Sequence, residues 1–280
     1  MNHEEYCDRV DAEVTRMADV VTGADLTAPV SGCPDWDLAK LVRHTGIVHR
    51  WAAAILATRA SEPIPQNQLD VGLPEDVAGY PEWLASGGPP LVTVLREAGP
   101  DITVWAWGDD HRSGWWARRM LHETTVHRAD AQRSLGVEPA IDPVAAADGV
   151  DEFLRVAPLG SRVSKRLAEL PAGQTIHLHA TDSVFSDTAF SDTAFSDTAF
   201  SGTAFSGSGT DSPEAGEWLI SLTGGGYTWS HGHAKGSVAV RGPAALLLQF
   251  VYGRVRPDDE NLAVFGDPGP LATWQDIMTL

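Results

Sequence analysis

Between Trp116 and Ala131 an apolar stripe at helical spacing turns ionisable halfway along its length. At about 100° per residue, Trp116 and Met120 share a face with Glu123, His127 and Asp130. Two large apolar side chains on that face mean that it points into a core, so the carboxylates and the imidazole that follow are headed for burial as well. A buried ionised carboxylate is costly unless it is paired, and a divalent metal is a common partner.

His122 next to Glu123 invites comparison with the H-E-x-x-H zinc helix, in which two histidines four apart share a face. The spacing excludes it. His122 and His127 lie five residues apart, about 140° around a helix, whereas Glu123 and His127 lie four apart and can reach one ion. Asp130, three residues beyond His127, can accept the imidazole's other N–H and so fix its tautomer. A further ligand must come from elsewhere. Pro34-Asp35-Trp36-Asp37-Leu38 reads as a helix entry and is followed by Leu41, His44, Val48, Trp51 and Ile55 at helical spacing. His44 sits inside that stripe and His49 points away from it, so periodicity prefers His44 as the buried imidazole. A hydrogen-bonded core histidine at 44 and a surface Glu123–His127 pair satisfy the same pattern, and periodicity leaves both readings standing.

The 280 residues carry a net charge of −18, which repels phosphate backbones and anionic lipid and argues against nucleic-acid or membrane partners. The acidic start Met1-Asn2-His3-Glu4-Glu5 has no signal-peptide character, and the longest apolar run, Ala244 to Tyr252, is too short to span a bilayer. Cys7 and Cys33 form no C-x-x-C motif, which fits a reducing cytosol and a cytoplasmic protein.

Helical patterns cover about 3–22, 36–59, 80–98 and 112–135, a four-helix bundle, and the prolines of 61–78 predict an irregular crossover between the second and third. Trp105, Trp107, Trp115 and Trp116 fit either bundle packing or the wall of a pocket mouth. Asp142-Pro143 opens a fifth helix to about Val156. After Pro158 the period alternates: Ile176–Ala180, Trp218–Leu222 and Val238–Val240 read as strands, with a helix over 243–252. The expected fold is α+β, with a helical bundle over 1–158 and a small α/β domain over 159–280.

A pentapeptide beginning Phe185-Ser186-Asp187-Thr188-Ala189 repeats and decays across about 183–212. One Phe per unit is too little apolar surface to order a chain, so this reads as a largely disordered expansion of a hairpin loop, or as a Phe-bearing arm for a partner. His177/His179 and His231/His233 each place two imidazoles on one strand face, as some metal sites require. Solvent-facing positions explain these pairs equally well, and no carboxylate or cysteine of suitable spacing accompanies them.

The segments Cys33–His44, Arg118–Asp130, Val240-Arg241-Gly242-Pro243-Ala244 and Gly253-Arg254 resemble the mycothiol-dependent maleylpyruvate isomerase family of actinobacteria, whose bundle is DinB-like. The resemblance spans nearly the whole chain except the pentapeptide repeat. It implies a His, Glu, His metal triad at His44, Glu123 and His127, a nearby acidic residue at Asp130, and a functional C-terminal arginine at Arg241 or Arg254. Two imidazoles and a carboxylate suit a divalent ion, zinc first, with a position left open. A thiol there would be held as thiolate, because the ion's charge lowers its pKa from about 8.5. The resemblance names that thiol as mycothiol.

The implied chemistry is that of a transferase or isomerase, in which the thiolate adds to an electrophilic small molecule. In isomerisation, addition makes a C=C bond rotatable and elimination returns the thiol. The partners are then a low-molecular-weight thiol and a small electrophile, for a monomer or small homo-oligomer. A metal-dependent hydrolase or lyase, a natural-product tailoring enzyme and a non-catalytic stress or binding protein are the alternatives on the same bundle.

Overall fold

The computed structural model describes residues 1–170, 172–185 and 216–278, so the repeat from Ser186 onward lies outside the described residues. α1 (His3–Val21) opens with a capping box: Asn2 Oδ1 accepts the Glu5 N–H at 3.0 Å and the Glu5 carboxylate accepts the Asn2 N–H at 2.8 Å. α2 (Leu38–Thr58) starts at Asp37, whose carboxylate accepts the Lys40 N–H at 2.8 Å. The crossover to α3 (Tyr80–Ala98) is irregular apart from two short 3₁₀ turns, as its prolines predict.

α4 (Ser113–Ser134) is the spine of the bundle, with nearly every residue from Trp116 to Ala131 buried. Its first half joins the apolar core of α1, α2 and α3 through Trp116, Ala117, Met120 and Leu121. Its second half is polar on several sides, and neighbouring elements supply a partner for each charge. Arg128 meets Glu13 of α1 at 2.5 Å. His122 and Arg118 meet Asp148 of α5 (Pro143–Val156) at 2.6 and 3.1 Å.

The rest of the chain forms α6 (Ser161–Arg166), β1 (Thr175–Ala180), β2 (Glu217–Leu222), β3 (Tyr227–His231), β4 (Val238–Gly242), α7 (Ala244–Val251), β5 (Ala263–Gly266) and α8 (Gly269–Met278). The sheet order is β3-β2-β1-β4-β5, antiparallel except for the central parallel β1–β4 pair. One face, with Ile176, Leu178, Trp218, Ile220, Val238 and Val240, packs in a single core with α5, α7 and α8. The opposite face carries His177 and His179.

The architecture is the expected α+β arrangement, and the three expected strands and the 243–252 helix are present. β3, β5, α6 and α8 were not anticipated. β3 follows a Gly224-Gly225-Gly226 turn and alternates Tyr227 and Trp229 with exposed Thr228 and Ser230 over only five residues, and β5 is a four-residue edge strand without a buried residue. No described helix is long and apolar enough to cross a membrane.

Candidate metal centre

His44 comes from α2, and Glu123 and His127 from successive turns of α4. Glu123 Oε1 lies 3.0 Å from His44 Nε2 and 3.3 Å from His127 Nε2. One nitrogen or oxygen of each residue falls within 4.8 Å of those of the other two. The imidazole rings of His44 and His127 stand nearly perpendicular with centroids 5.1 Å apart.

His127 turns its other nitrogen, Nδ1, to Asp130 Oδ2 at 3.2 Å. Asp130 is held in turn by Arg254 Nε and Nη2 at 3.2 and 3.3 Å. Arg254 lies just past α7, so the C-terminal half of the chain supports this histidine through a carboxylate. The fit of the connecting loop is close: a Cβ on Gly32 would fall 2.7 Å from Asp130 Oδ1 and 2.8 Å from Arg254 Nε. On the other side, Arg119 pairs with Glu123 one turn away and with Glu152 of α5.

Burial alone would raise the Glu123 carboxyl, but Arg119, His127 and His44 outweigh it and hold the group well below the usual carboxylate range. Burial would lower His127, yet Glu123 and Asp130 together push it up to about 9. Both results belong to the protein without an ion. They describe a carboxylate that stays charged, as a ligand must, and an imidazole whose proton an incoming cation would displace. Two imidazole nitrogens and a carboxylate oxygen, with one histidine oriented from behind, form a donor set that fits a divalent ion.

The triad opens on a cleft of about 480 Å³ whose lining includes Trp36, Trp51, Trp107, Met120 and Tyr252. Trp36 stacks over His127 with centroids 6.3 Å apart and meets His44 edge-on at 5.0 Å. It is presented by a tight loop in which Asp35 adopts a left-handed φ of 66°. Both readings of the tryptophan cluster are met: Trp116 is fully buried in the bundle, while Trp107, 38% exposed, lines the cleft.

Sequence reasoning went astray over which histidine of α2 is buried. His49 is fully enclosed, with its Nε2 2.8 Å from Thr124 Oγ1, whereas the His44 side chain is 38% exposed. Thr124 Oγ1 donates to the Met120 carbonyl, so it accepts from His49 Nε2 and leaves Nδ1 without a partner. Burial pushes His49 down to about 4, and it stays neutral. α2 is covered on more than one side, and the imidazole that reaches Glu123 is the one at the cleft edge. Arg254 lies against Asp130, whereas Arg241 is exposed on β4 beside His179, outside the cleft. Arg119 was not singled out, although its place one turn before Glu123 was the available signal. Cys33 also lines the cleft, 3.2 Å from Arg254 Nη2; burial pushes its thiol up to about 12, with Arg254 opposing.

Two family models match the chain: the mycothiol maleylpyruvate isomerase N-terminal domain over residues 7–132 and the MDMPI C-terminal domain over 145–273. Two similar solved structures are crystal structures of mycothiol-dependent maleylpyruvate isomerase and of a histidine-to-alanine mutant of it. Their TM-scores are 0.53 and 0.54, each at 12% identity over 94% of this chain and 93% of the other. No curated protein sequence matches.

Proposed function

Since the chain belongs to the mycothiol maleylpyruvate isomerase family, an enzyme family, we propose that it is a metal-dependent transferase or isomerase that uses mycothiol against an electrophilic small molecule. The observation that carries this reading is the convergence of His44 Nε2, Glu123 Oε1 and His127 Nε2 beside a cleft partly walled by Trp36, Trp51, Trp107 and Tyr252. When bound, a divalent ion would supply the positive charge that makes a thiol a thiolate at neutral pH. His44, Glu123 and His127 would hold that ion, and Asp130 accepts from His127 Nδ1 so that Nε2 faces Glu123. Arg119 keeps Glu123 ionised and aimed.

The cleft also speaks to the electrophile. Both arginines that line it are committed to carboxylates, Arg119 to Glu123 and Glu152 and Arg254 to Asp130. Trp36, Trp51, Trp107 and Tyr252 offer broad apolar faces instead. An electrophile with an extended apolar or aromatic portion therefore suits the site better than one carrying several carboxylates.

Metal analysis of the purified protein, followed by mass spectrometry of incubations with mycothiol and a panel of α,β-unsaturated carbonyl compounds, tests the proposal. The expected result is bound metal in the wild type, depletion in His44→Ala and His127→Ala, and a thiol adduct or isomerised product only when mycothiol is present. Full metal content in both variants would remove the triad. Turnover that does not need a thiol would favour hydrolase or lyase chemistry on the same residues.

A further inference from the structure

The outer face of the sheet carries a second convergence of metal-binding groups. Glu217, the first residue of β2, lies opposite His179 in the antiparallel β1–β2 register. Its Oε2 is 2.9 Å from His177 Nε2 and 2.8 Å from His233 Nδ1, and its Oε1 is 3.4 Å from His179 Nδ1. The donor atoms of His177, Glu217 and His233 all lie within 4.8 Å of one another. The three rings surround the carboxylate with centroids 5.4–6.4 Å apart and planes 85–90° to one another.

These four residues come from three separate segments: β1, the start of β2 and the loop after β3. Their convergence is therefore a tertiary arrangement and no by-product of one strand's period-two pattern. The loop after β3 packs against β1, since a Cβ on Gly236 would lie 3.0 Å from the His177 backbone nitrogen. His177 and Glu217 are buried, only 4% and 9% exposed. The H-x-H pairs of the sequence divide here. His231 turns to Asp151 at 2.9 Å, and His233 joins the β1 pair.

We propose that His177, Glu217 and His233, with His179 completing or bracing the set, form a second site for a divalent transition-metal ion such as zinc. Imidazole nitrogens with one carboxylate suit an ion of borderline softness, and a magnesium or calcium site would be built from oxygen. Among the described residues no cleft like that beside Glu123 adjoins the site, and the proposed role is structural. The ion would clamp the loop after β3 and the entry of β2 onto β1. Arg241, across from His179 on β4, and Lys235, two residues beyond His233, are cations that oppose it, in a chain whose net charge is −18.

Chelator-treated full-length protein titrated with Zn²⁺ by competition with a chromophoric chelator counts the sites. The wild type is expected to bind two equivalents and His233→Ala one, with the second weakened by more than the about 10–100-fold typical of losing an outer partner of a ligand. Glu217→Gln should behave alike, and His44→Ala should keep the sheet equivalent, which the His44→Ala/His233→Ala double variant loses. Zn²⁺ should also raise the melting temperature of His44→Ala but not that of the double variant. His233 is exposed, so its replacement spares the core. If His233→Ala and Glu217→Gln bind as much zinc as the wild type, or His44→Ala binds none, the sheet site is refuted. Failure of the triad would appear separately, as a wild-type count retained in His44→Ala.

Discussion

Replacing Asp130 separates what this residue does for the metal from what it does for the fold. Its side chain is 1% exposed and engages His127 Nδ1 and the Arg254 guanidinium, itself 2% exposed. Asp130→Ala removes the acceptor that fixes the His127 tautomer, at a cost of about 10–100-fold in metal affinity, or about 1.4–2.8 kcal/mol. It also leaves a buried guanidinium without a counter-ion, a loss of about 3–5 kcal/mol. At roughly 2 °C per kcal/mol for a chain of this size, the melting temperature should fall by about 6–10 °C. Asp130→Ala/Arg254→Met removes the orphaned cation, so most of the melting temperature should return while metal affinity stays low. Zinc competition titrations in a His233→Ala background, which silences the sheet cluster, read affinity at the triad, and calorimetry reads the fold. Wild-type affinity in Asp130→Ala would refute the orienting role. Recovery of affinity in the double variant would show that Asp130 acts by holding Arg254 and not by orienting His127.

Gly32→Ala drives a methyl group into the Asp130–Arg254 pair and should weaken zinc binding in the same titration while Val30→Ala nearby does not; equal affinities would sink the argument. Asp148 accepts from Tyr6, Arg118 and His122, and although burial would raise it, those partners hold its pKa below the ordinary carboxylate value. Its contribution, about 3–5 kcal/mol against Asp148→Ala, should therefore be complete above the unfolded value of about pH 4 and shrink as pH falls toward the lower folded one. Urea titrations of both proteins from pH 7 to 3 check this, and a gap that widens on acidification would contradict it. Removing metal from the triad should leave the bundle folded by far-ultraviolet circular dichroism, because Arg119 and both histidines already satisfy Glu123; loss of helix on chelation would show that the ion builds the site.

The bundle was legible because its helices carry apolar stripes, and some helix starts carry a cap as well, although α3 and α4 begin without a side-chain cap. Asp37, and Asp142 before Pro143, each sit where the structure begins a helix. The Glu123–His127 face was legible because a four-residue spacing has one geometric meaning on a helix. His44 reached the site although the argument for its burial failed. An apolar stripe marks the face of a helix, while a ligand stands where that face meets a cavity, and α2 gives its enclosed position to His49. Glu217 could not be paired with the β1 histidines, because it lies on the far side of the repeat and only strand register brings it opposite His179. Arg254 was a candidate from resemblance alone; its link to Asp130 crosses 124 residues and depends on how α7 docks against α4.

That docking explains how one helix can carry so much buried charge. Arg118, Arg119, Glu123, His127, Arg128 and Asp130 all project from α4, and an unpaired ion among them would cost more than a well-packed apolar side chain could return. His127 is paired within α4 by Glu123 and Asp130, and the other five meet partners on other elements: Glu13 on α1, His44 on α2, Asp148 and Glu152 on α5, and Arg254 beyond α7. The proposed ligands of the triad all come from the bundle, but two of the groups that aim them, Glu152 through Arg119 and Arg254 through Asp130, come from the chain after residue 142. If the triad binds metal as proposed, its affinity should depend on the seating of the C-terminal layer. A disturbance of α5 or α7 reaches Glu123 and His127 through one intervening side chain each, without touching the ligands themselves.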